Sequence, residues 1–135
     1  MIKIKDLEFT QNEIFDYLKI TDKLKPALAN LFQRKVAADN AKKMGMEVTD
    51  QELQGAFDSF RAAHGLNKAE DTEAWIKSKG VTLEALENHI ETSIIIEHLK
   101  DKLEKEITMD ALLSHDDTKN MVREMAFQIW LNGNM

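Results

Sequence analysis

Residues 49–52, Thr-Asp-Gln-Glu, spell out a helix start. The Thr49 hydroxyl can accept from the Glu52 amide while the Glu52 carboxylate accepts from the Thr49 amide, a reciprocal capping box. Val48 and Leu53 stand at the positions of a hydrophobic staple around that cap. Gly45, four residues earlier, closes a preceding helical pattern, as a left-handed residue after a C-terminus does. The same punctuation returns at Gly80-Val81-Thr82-Leu83-Glu84, with Thr82 as cap and an acid in the first turn, where the helix dipole favours it. Gly65 ends a third segment. A chain divided by helix caps, with one proline and no cysteine, is expected to be helical and unstapled.

Apolar spacing agrees with the caps. Segment 11–20 carries Ile14, Phe15 and Leu18; segment 24–44 carries Leu24, Leu28, Leu31, Phe32, Val36, Ala41 and Met44, with Pro26 in its first turn. Helices are also expected over 50–64, 72–79, 83–106 and 119–132, with a break at Ser114 to Thr118. Only residues 2–5 alternate in strand fashion, too few to make a sheet alone. The expectation is an all-α bundle of five or six helices with a long central one. It is organised as one domain over 1–135: an extended segment 1–10, a helical core 11–106, a connector 107–118 and a C-terminal helix 119–135. Length favours one domain as well.

Charge narrows the partners. The chain has 18 Lys and Arg against 24 Asp and Glu, net −6. Nucleic acid is a poor fit, because phosphate binding needs a basic face. Residues 21–44 nevertheless carry +4 and residues 47–75 carry −5. These read as solvated faces that attract each other across a helix pair, or as a binding stripe for an acidic partner. No apolar stretch approaches the length of a membrane span, and residues 1–6 contain no signal-like run, so a cytoplasmic protein without membrane contact is expected.

Catalytic and metal patterns fail one by one. His89 and His98 share a helix but stand about 180° apart on its wheel. Leu86 and Ile95 occupy the places where a Glu-x-x-His di-metal motif needs glutamate. His64, beside Gly65, suits a helix C-terminus. Ser114-His115-Asp116 spells a triad in letters, yet sequence neighbours cannot converge as a triad requires. No glycine-rich phosphate loop occurs. The expectation is a protein without enzymatic activity, metal or cofactor.

What stands out is apolar surplus. Ile94-Ile95-Ile96 sweep about 200° of their helix, so that helix is packed on both sides or turns an isoleucine to a partner. The last helix likewise adds Phe127 and Leu131 beside Met125, Ile129 and Trp130. Met121 and Met125, four apart, suit a surface that accepts many apolar shapes, or a core.

A resemblance gives this surplus a use. Ala41-Lys42-Lys43-Met44-Gly45-Met46-Glu47-Val48-Thr49-Asp50-Gln51-Glu52-Leu53 resembles the opening of the SurA-type chaperone domain that accompanies parvulin prolyl isomerases. Phe60, His64, Gly65 and Leu66 look like its next helix end. Trp75-Ile76, Gly80-Val81-Thr82 and Leu86 look like its step into a long helix. About half the chain takes part. In that family a parvulin domain usually follows and a last helix returns to the bundle. Here the connector after Ile107 is too short for a parvulin fold, so the resemblance implies the helical domain alone, without isomerase activity. Members are usually exported, a pattern from which this chain departs; cytoplasmic relatives look like accessories to peptide maturation.

The implied activity is non-enzymatic holding of an extended or unfolded polypeptide, or a precursor peptide, in an apolar groove. Ile95, Ile96, Met121, Met125, Phe127 and Leu131 are the expected binding residues. The alternative is a structural subunit that uses the same surfaces in a homodimer, with the terminal helix exchanged between protomers as one arrangement, or in a hetero-complex.

Overall fold

The computed structural model describes residues 2–135. About three quarters of the chain is helical, and the protein is all-α apart from one small hairpin. Strands β1 (Ile2–Ile4) and β2 (Leu7–Phe9) precede α1 (Gln11–Ile20), α2 (Leu24–Lys43), α3 (Asp50–Ala63) and α4 (Ala69–Lys79). They are followed by α5 (Leu83–Glu106), α6 (Met109–Leu113) and α7 (Asp116–Gly133).

The expected caps form. Thr49 and Glu52 make the reciprocal box, with Glu52 N donating to Thr49 Oγ1 at 3.1 Å and Thr49 N to Glu52 Oε1 at 3.2 Å. Thr82 Oγ1 accepts from Ala85 N at 3.0 Å to open α5. Gly80 ends α4 at φ +68°, a conformation in which a Cβ would be strained although nothing crowds its place.

Four expectations need correction. The extended segment 1–10 is a hairpin, not a lone strand: Ile2 pairs Phe9, Lys3 pairs Glu8 and Ile4 pairs Leu7. The opposite charges of Lys3 and Glu8 favour that register. Met1 lies outside the described residues. Helix α4 starts three residues earlier than expected, because the Asp71 carboxylate accepts from Lys68 N at 3.1 Å and so caps the preceding turn. The connector 107–118 holds α6, whose Thr108 cap accepts from Ala111 N at 3.1 Å, which brings the count to seven helices among the described residues. Finally, α7 begins at Asp116, since Asp116 and Asp117 place two acids in its first turn against the dipole.

Where length suggested one domain, the chain divides into two compact units between Leu99 and Lys100. The buried residues of α5 all precede that point. In the first unit a small core forms where Ile95 meets Ala38 and Ala41 of α2, with Met46, Val48, Ile96 and Leu99 packed against it. The alanines let α2 approach α5 closely. Arg34 adds a polar clasp, donating to His89 O and Ser93 Oγ at 3.1 Å each. His98 pairs with Glu52 and so ties α5 to the start of α3. Phe60 and Trp75 meet edge to face at 5.2 Å and join α3 to α4. The second unit consists of the end of α5, α6 and α7.

Candidate functional site

The chain exposes 11,348 Å². Two separate compact bodies of these two lengths would together expose about 8,500 Å². The surplus, roughly 2,800 Å² on that scaling, is largely apolar and is concentrated on α2 and α7.

Helix α7 has no buried residue. Every side chain from Met121 to Trp130 is exposed, with Met121 at 62%, Ile129 at 72% and Trp130 at 60%. At about 100° per residue these apolar side chains fall into two stripes on opposite sides of the helix. Met121, Val122, Met125 and Ile129 form one. Phe127, Trp130 and half-buried Leu131 form the other, the two rings stacked at 6.3 Å. The methionine stripe borders a trough of about 360 Å³ edged by Glu124 and Gln128.

The first unit presents a larger groove, about 810 Å³, between α2 and the opening half of α5. Leu31, Phe32 and Val36 supply its apolar lining, and Asn88, His89 and Thr92 of α5 supply an uncharged opposite wall. Arg34, Lys35 and Lys42 stand along α2, with Asp39 between them. Lys43 holds Asp39 at 3.1 Å on its own helix, while Lys35 and Lys42 have no ion pair among the described residues. The basic stretch 21–44 therefore does not neutralise the acidic stretch 47–75 by direct pairing.

The six expected binding residues fare differently. Ile95 is 2% exposed and belongs to the core, so the reading that turned it toward a partner is corrected: Ala38 and Ala41 cover it. Ile96 is half-buried against that same core. Met121, Met125 and Phe127 are exposed and Leu131 is half-buried, and they divide between the two stripes of α7. The α2 groove escaped sequence reasoning. Its signal was present, because Leu28, Phe32 and Val36 lie well round the wheel from Ala38 and Ala41 and cannot share one core stripe.

The histidines sit in structural roles. His64 stacks on Phe60 at 4.2 Å, and His115 precedes α7 as its cap residue. Ser114 Oγ donates to Ala111 O at 2.6 Å. Among the described residues no three His, Asp or Glu side chains gather as a metal site, and no helix is long and apolar enough to cross a membrane. Of the titratable groups, Glu52 is held below its ordinary value of 4.5, chiefly by the Thr49 backbone amide, then by the Thr49 hydroxyl and the charge of His98. Comparison with protein-family models, with curated proteins and with solved structures finds no match.

Proposed function

We propose that this chain is a non-enzymatic polypeptide-binding module of the SurA type, which holds an extended or unfolded polypeptide by reversible burial of apolar side chains. The methionine stripe of α7 carries the reading. Met121 at 62% exposed, Met125 at 57% and Ile129 at 72% repeat every four residues and line a shallow trough. Three-bond, polarizable side chains adapt to clients of varied shape, which a rigid aliphatic surface does not. Apolar contact of this kind contributes about 25 cal/mol per Å² before ordering costs, so a short stripe suits weak, exchangeable holding. In this reading the protein works in the cytoplasm, and its client is an unfolded or precursor polypeptide during peptide maturation.

The test is a titration of methionine-methyl-labelled protein with a permanently unfolded polypeptide, followed by NMR. The Met121 and Met125 methyl signals should move and saturate while those of Met44 and Met46 stay in place. Unmoved Met121 and Met125 signals at millimolar client would remove the proposal.

A further inference from the structure

The two uncovered surfaces of this chain match each other. The aromatic stripe of α7 and the α2–α5 groove are both apolar, and their charges are arranged in complementary order. From Lys42 back to Leu31 along α2 is 11 residues, about 16 Å of helix, and so is the span from Asp116 to Phe127 along α7. Laid antiparallel in that register, Phe127 meets the Leu31–Phe32 end of the groove. Asp116 then meets Lys42, Lys119 meets Asp39 and Glu124 meets Arg34. Arg123, opposite Lys35, is the one like-charged neighbour. In the parallel register the pattern fails: Lys119 falls against Arg34, Glu124 against Asp39, and Phe127 against Lys42.

We infer that the groove is the docking site for α7 of a second copy of this chain, so that two copies exchange their last helices reciprocally in a twofold dimer. Two such docks per pair form an isologous interface, because each copy offers one helix and one groove. The area agrees. A surplus of roughly 2,800 Å² per chain over compact bodies, most of it apolar, is on the scale that obligate dimers bury. Trp130 and Phe127, exposed at 60% and 52%, are the side chains from which interface anchors are most often made. Because the dock uses the aromatic stripe, the methionine stripe on the opposite side of α7 stays open. The inference thus stands apart from client binding and is read by mass alone.

The experiment is light-scattering mass measurement on the full chain over a wide concentration range. It is repeated with Phe32→Glu and Trp130→Glu, both at exposed positions, with circular dichroism to confirm unchanged helicity. The wild type should show twice 15.5 kDa and each variant 15.5 kDa. An equimolar mixture of the two variants should return to the doubled mass, since the intact α7 of one can enter the intact groove of the other. A wild-type mass of 15.5 kDa at all concentrations overturns the inference, including by α7 docking within its own chain. A doubled mass that neither variant alters overturns it too. Monomeric variants that do not rescue each other would place the contact between the two α7 helices and overturn it likewise.

Discussion

Replacing Ile95 by alanine tests the central packing claim of the first unit. The side chain is 2% exposed, so the change removes three buried carbons. Their transfer alone is worth about 2.4 kcal/mol, at about 0.8 kcal/mol per carbon. Collapse would reduce the cavity left behind, but the covering residues are Ala38 and Ala41, whose methyls have no rotamer with which to follow. The unfilled space therefore adds to the transfer loss, and the total should fall at about 3–4 kcal/mol. In a urea titration followed by far-ultraviolet circular dichroism, that corresponds to a midpoint lower by about 2 M or more. Ile96→Ala, at a half-buried position against the same core, should cost about half as much or less. Both proteins must be compared at one chain concentration, because self-association would shift the midpoints by mass action. Should Ile95→Ala cost under about 1 kcal/mol, or less than Ile96→Ala, the packing argument is wrong and Ile95 returns to the list of surface residues.

Thr49→Ala removes the hydroxyl that accepts from Glu52 N and should cost about 1 kcal/mol in the same titration, with Thr49→Ser recovering most of the loss. The capping box also has a pH signature. Since the Glu52 pKa is lower in the folded chain than its ordinary 4.5, its stabilisation is complete above about 4.5 and is lost as pH falls through the lowered value. Acid titration of the wild type against Glu52→Gln should therefore show the two stability curves converging below pH 4.5; curves that stay parallel there would deny the carboxylate its role.

What the sequence made legible was local. Thr49, Glu52, Thr82 and the glycines at 45 and 80 act within one turn of themselves, so their letters suffice to place the ends of α2, α3 and α5. The misread ends had unusual partners. Lys68 is no conventional cap residue, and α4 starts there because the Asp71 carboxylate reaches back to its amide. The hairpin was hidden because β2 is only Leu-Glu-Phe, and its pairing with β1 depends on a turn in which Lys5 adopts φ +54°. That angle is ordinary for glycine and uncommon for lysine, so no residue announces the turn.

Which apolar residues are buried was a harder question, and Ile94-Ile95-Ile96 shows why. All three have the same chemistry, but α2 presents alanine only where Ile95 comes down, so Ile95 alone is fully covered. Periodicity assigns a side chain to a direction and says nothing about how near the opposing backbone comes. The same logic explains the two stripes of α7. A helix apolar on opposite sides needs a cover on each, and the second unit offers only α6, five residues long, and the end of α5. The faces left open differ in chemistry, methionine on one and aromatic on the other. Adaptable side chains suit a changing client and rigid rings suit a fixed partner, so two different occupants account for α7 better than one.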